Sequence, residues 1–105
     1  MSRMSNLPGL RARTVTCTVS GTPVQGPTLA VPEGIEVVVK AAAGNTGTVT
    51  VAESSANALN SDADNFPLEP GTALTIQVQN TSMLWFDSTV SGDTVRLVFE
   101  YNQEF

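Results

Sequence analysis

The sequence predicts an all-β fold, a small antiparallel β-sandwich or jelly-roll-like barrel of six to eight strands with an extended N-terminal arm. Three observations predict it. Apolar and polar residues alternate in one short run after another, the period of a half-buried strand. Turn signals fall between the runs at a spacing of about 8–12 residues, as in small sandwiches and barrels. No segment carries a helical period of useful length, and the runs are rich in valine and threonine, which suit a pleated surface.

Residues 1–13 contain Arg3, Arg11, Arg13, Pro8 and Gly9 and no acid. They are expected to form the arm, and residues 14–105 the sandwich, with the first strand beginning near Thr14. "TVTCTV" (14–19) alternates threonine with Val15, Cys17 and Val19. "SGTPVQGP" (20–27) is rich in glycine and proline and reads as loop. "TLAV" (28–31) is a short strand and "PEG" (32–34) a turn. "IEVVVKAA" (35–42) sets Ile35, Val37 and Val39 against Glu36, Val38 and Lys40 on the opposite face. "AGNTG" (43–47) reads as a hairpin-type turn, and "TVTVA" (48–52) returns.

"ESSANALNSDADNF" (53–66) lacks alternation, and a polar loop of that length either serves a purpose or carries a helical turn. "PLEPG" (67–71) is punctuation. "TALTIQV" (72–78), "MLWFD" (83–87) and "TVRLVFEY" (94–101) follow as strands, so that 66–101 reads as a meander. A faint internal echo links "VPEGIEVVVKAAAGNTGTVTVA" with "LEPGTALTIQVQNTSMLWFD": turn, long strand, turn, short strand. Val15, Ile35, Val37, Val39, Val49, Val51, Leu74, Ile76, Val78, Leu97 and Phe99 are expected to face one core between two sheets.

Composition narrows function. The chain has 105 residues, a net charge of −5, no histidine and one cysteine. Without histidine, Ser–His–Asp and Cys–His catalysis and the usual zinc and copper sites are excluded. No glycine-rich loop leads into a helix, so nucleotide cradling has no support. No run approaches the ~20 apolar residues of a membrane helix. The N-terminus also lacks the apolar core of a signal peptide, which predicts synthesis in a cytoplasm. Cys17 reads as a small buried or half-buried hydrophobe.

Asn60, Asp62 and Asp64 of "NSDADN" alternate like the start of a calcium loop. Asn65 and Gly71 then stand where the loop needs glycine and glutamate, so no metal site is expected. Glu33 and Glu69 sit in turns that charge keeps wet, and Asp93 after Gly92 reads as a turn cap. No enzyme activity, cofactor, nucleic-acid partner or membrane partner is expected. Trp85 and Phe86 are neighbours on one strand and must face opposite ways. One is core, and the other is exposed or covered by another subunit.

From residue 33 onward the chain resembles small β-sandwich virion proteins of tailed bacteriophages, of the capsid decoration or cement type. The residues that carry the resemblance are "GIEVVVKAAAGNTGTVTV", "FPLEPGTALTIQV" and "LWFDSTVSGDTVRLVFEY". It implies a structural virion protein that binds the phage head and stabilises it, with the major capsid protein as partner. It also implies homo-oligomerisation, often as trimers, and residence in the virion after synthesis in the bacterial host. Many copies on one shell gain avidity without strong single contacts. A basic arm on an acidic body suits that role. Arg3, Arg11 and Arg13 would meet carboxylates on a partner, and Leu7 and Leu10 would fill shallow apolar sites. Trp85 and Phe86 are the candidate contacts on the body. The alternative is a carbohydrate- or receptor-binding module of a phage tail or attachment structure, using Trp85 and the 53–66 loop.

Overall fold

The computed structural model describes residues 6–104. Eight strands form two antiparallel four-stranded sheets: β1 (Asn6–Cys17), β2 (Val24–Gln25), β3 (Val37–Ala41), β4 (Val49–Ala52), β5 (Phe66–Leu68), β6 (Ala73–Ile76), β7 (Trp85–Ser88) and β8 (Asp93–Glu104). One sheet has the order β1-β8-β3-β6 and the other β2-β7-β4-β5. This is jelly-roll topology. Only β4 and β5 are consecutive strands that pair with each other.

The reading of 66–101 as a meander is therefore corrected. β5, β6, β7 and β8 alternate between the sheets, so each turn crosses the core instead of closing a hairpin. "AGNTG" is likewise an arch from β3 in one sheet to β4 in the other. The internal echo acquires a meaning here. Its two halves, β3–β4 and β6–β7, are matching arches, with β3 paired to β6 in one sheet and β4 paired to β7 in the other.

Other boundaries move too. The first strand begins at Asn6, eight residues before Thr14, because residues 6–13 find partners along 97–104 of β8. "SGTPVQGP" contains the two-residue strand β2. "TLAV" contributes only an isolated bridge, Ala30 to Asn80. "FPL" at 66–68 pairs with β4. The 53–66 segment carries a single helical turn, α1 (Ser55–Ala58), whose N-cap Ser54 accepts from the Asn57 N–H at 3.2 Å.

The core holds Val15, Val37, Val39, Val49, Val51, Leu97 and Phe99 as alternation requires, joined by Cys17, Ala41, Leu68, Leu84, Phe86 and Val95. Ile35, Leu74, Ile76 and Val78 pack against it half-buried. All four residues of β4 are buried, because α1 lies over its outer face. There the Thr50 hydroxyl donates to the Ala58 carbonyl at 2.5 Å.

β1 and β8 have 12 residues each, and every other strand has two to five. β3 pairs with β8 only from Val98 to Val95, so among the described residues β8 has β1 alone as neighbour from Phe99 onward. The two form a ribbon that runs past the sandwich, and the molecule measures 54 × 25 × 19 Å.

Candidate functional site

Two places collect polar chemistry. The first is interior, at one end of the sandwich. Asp87 on β7 is fully buried, and Asp93 at the start of β8 is 5% exposed. Both carboxylates are surrounded by donors. Asp87 accepts from the backbone N–H of Gly21 at 3.0 Å, Ser88 at 2.8 Å and Asn60 at 2.8 Å. Asp93 accepts from the N–H of Thr46 at 3.2 Å and Gly47 at 3.0 Å, and from the Ser88 hydroxyl at 2.8 Å. Ser88 thus bridges the two acids. Its carbonyl accepts from the Ser20 hydroxyl at 2.7 Å and the Asn60 amide at 2.8 Å.

Chemically this is a clamp. Buried carboxylates persist when fixed N–H groups satisfy them, and here each acid ties distant loops together. Asp87 joins the 20–21 turn and residue 60 to β7. Asp93 reaches across to the 46–47 arch, where a Cβ on Gly47 would lie only 2.3 Å from the Thr89 hydroxyl. The reading of Asp93 as a local cap gives way to this long-range role. All six donors come from the protein's own loops and from Ser88 beside the acids. Cys17 lies nearby with no exposure. Burial pushes its thiol up to about 11, and the Asp87 and Asp93 charges add to the rise. A thiol in that state is a poor nucleophile.

The calcium-like segment is also committed to structure. The Asn65 amide donates at 3.0 Å to the carbonyls of Asn57, Leu59 and Asp62. Asp62 accepts from the Asp64 N–H at 2.8 Å. Among the described residues no cluster of three or more metal-ligating side chains occurs.

The second place is the exterior. On the ribbon, Gly9 faces Tyr101, and a Cβ there would sit 2.7 Å from the tyrosine ring. The Arg11 guanidinium lies 4.4 Å from the centre of the same ring. Leu10 is 66% exposed. The Arg13 guanidinium donates to the Ala12 carbonyl at 2.9 Å. Leu7 belongs to β1, opposite Gln103. Arg3 lies outside the described residues. Over residues 6–11 the expected arm is thus one half of a two-stranded ribbon, and Ala12 and Arg13 already lie in the four-stranded sheet. The aromatic pair divides cleanly: Phe86 is fully buried and out of a partner's reach, and Trp85 is half-buried on the outer face between Gln25 and Ala52.

The outer face of the β1-β8-β3-β6 sheet carries Lys40 and Arg96, the only cations of residues 14–105. They stand directly opposite each other on β3 and β8. Like charges so placed destabilise a sheet. Their outward direction follows from alternation, but their opposition depends on a pairing that alternation does not reveal. A separate apolar groove lies at the open seam between β5 and β6, where Phe66, Leu74, Ile76 and Met83 meet.

Comparison with known proteins returns fold alone. No family model matches, and no curated protein sequence matches. Among solved structures the chain is similar to one described as Bacillus endospore appendages forming a novel family of disulfide-linked pili. The TM-score is 0.51 at 11% identity, over 100% of this chain and 95% of that one.

Proposed function

We propose that this chain is a structural subunit of a many-copy assembly, and more finely a virion protein that decorates and cements a phage head. The observation that carries the reading is the contrast between a closed interior and an elongated exterior. The buried acids are held by loop N–H groups. The two longest strands extend beyond the body, and among the described residues the outer edge of β1 has no sheet partner. A free edge of that length is a template for association. The similar fold of a pilus-forming protein supports the broad reading, and the virion resemblance supports the finer one. The major capsid protein is the proposed partner, with sister copies beside it, and the virion is the proposed location.

Disulfide linkage does not carry over. The single cysteine, Cys17, is wholly buried, so subunits of this chain associate through non-covalent surfaces.

The test is binding of the purified protein to phage heads that lack it. Stoichiometric co-sedimentation, with a rise in the temperature at which the heads rupture, is expected. Glycan binding by the isolated chain through Trp85, without head binding, would instead support an attachment module.

A further inference from the structure

The body's charges on the outer face of the β1-β8-β3-β6 sheet follow a pattern. Lys40 and Arg96 face each other across β3 and β8, and Val38 and Val98 form the next outward pair. Glu36 and Glu100 come next. Both are exposed, and they border one shallow depression with Val38 and Val98. Like charge therefore stands beside like at one end of a short apolar row, and two exposed glutamates border its other end. Ala12 and Thr75 extend that row onto β1 and β6. Among the described residues, neither Lys40 nor Arg96 forms an ion pair or side-chain hydrogen bond. Along a strand, four residues span about 13 Å, too far for Lys40 to reach Glu36 of its own chain.

We propose that this face is a self-complementary interface for a second copy of the chain. The two copies are related by a two-fold axis in the interface, running across the strands over Val38 and Val98. Such a rotation lays β3 on β3 in opposite directions. Lys40 then meets Glu36 of the other copy, and Arg96 meets Glu100, with both reciprocals: four ion pairs around the Val38, Val98 and Ala12 row. The orientation is selective. An axis along the strands would set Lys40 against Arg96 and Glu36 against Glu100. Stacked sheets cross at about 30°, which displaces groups 6–7 Å from the axis by about 3 Å, within reach of lysine and arginine side chains. An interface that uses the same patch on both subunits is the commonest form of homodimer. The small apolar row supplies the burial and the charges fix the register.

The proposal deepens the assembly reading, but its test needs no particle, so the two can fail separately. Sedimentation equilibrium would compare the wild type with Lys40→Glu/Arg96→Glu, with Glu36→Lys/Glu100→Lys, and with a 1:1 mixture of the two variants. The wild type should dimerise with a Kd that rises with salt. Each variant alone carries one sign across the face and should dimerise at least tenfold more weakly. The mixture should form a heterodimer. Circular dichroism should show both variants folded, since all four side chains point to solvent. If a reversal disrupts the fold, Lys40→Gln/Arg96→Gln serves in its place and should weaken the dimer. A wild type that stays monomeric at its highest soluble concentration, variants that dimerise as the wild type does, or a mixture that stays monomeric would overturn the proposal.

Discussion

The clamp at Asp87 and Asp93 and the outer face with Lys40 and Arg96 hold charge under opposite conditions. Inside, six donors converge on two acids, and four of them, the N–H groups of Gly21, Asn60, Thr46 and Gly47, fasten loops. Outside, two cations are set against each other, although the body carries ten acids. The difference teaches where to look for function in a chain with so little reactive chemistry. Polar groups that hold the fold are satisfied within it. Polar groups arranged against the interest of the isolated fold point to something beyond it.

Four measurements can break or sharpen this contrast. The largest effect should come from Phe86→Ala, which empties a fully buried site and should cost about 3–5 kcal/mol in urea unfolding. Trp85→Ala, on the same strand but half-buried, should cost clearly less. Equal losses would show that the two faces of β7 are not divided into interior and surface. Next, Asp87→Ala should cost about 2–4 kcal/mol, because three backbone N–H groups lose their acceptor. Lys40→Ala should stay within about 0.5 kcal/mol of the wild type. A reversed order would contradict the division of roles.

The third measurement uses pH. Cys17 has its folded pKa raised from 9.0 to about 11. Above pH 9 the unfolded chain releases the thiol proton first, so it binds fewer protons than the native state and stability falls with rising pH. The fall should run from about pH 9 to about pH 11 and reach about 2–3 kcal/mol. Cys17→Ala should lack this component, whatever its cost at neutral pH. Identical slopes for the two proteins across the window would contradict the assignment. The smallest effect should come from Gly9→Ala. Its methyl presses on the Tyr101 ring, so amide exchange in the ribbon should quicken while core amides such as Leu97 stay protected. Faster exchange throughout the core would show that the ribbon is part of the cooperative body.

Much of the core was legible because alternation reports which side of a strand faces inward. Val15, Val37, Val39, Val49, Val51, Leu97 and Phe99 are buried for that reason. Strand pairing was not legible. A strand whose apolar side faces the core can hydrogen-bond to its successor or pack opposite it, and the same alternation serves both. The meander and the jelly roll therefore predict one core with different neighbours. Leu74 and Ile76 are only half-buried because β6 is an edge strand, a property of strand order. Leu68 was hidden in a run read as a turn, and two-residue β2 is too short for any period. Asp87 alternates like a surface residue in "WFDS". Its burial comes from α1 and the turn at residue 60, which no local pattern foretells. The surface pattern of Glu36, Lys40, Arg96 and Glu100 needed the register of β3 on β8 before it could be read at all.

The most direct test of the proposed structural role is electron cryomicroscopy of phage particles from cells that make this chain. Repeated jelly-roll density is expected in many symmetry-related copies on the outer surface of the shell, with the β1–β8 ribbon against neighbouring subunits. Density confined to a few copies at a tail tip, with Trp85 facing a host glycan and no contact between copies, would contradict it.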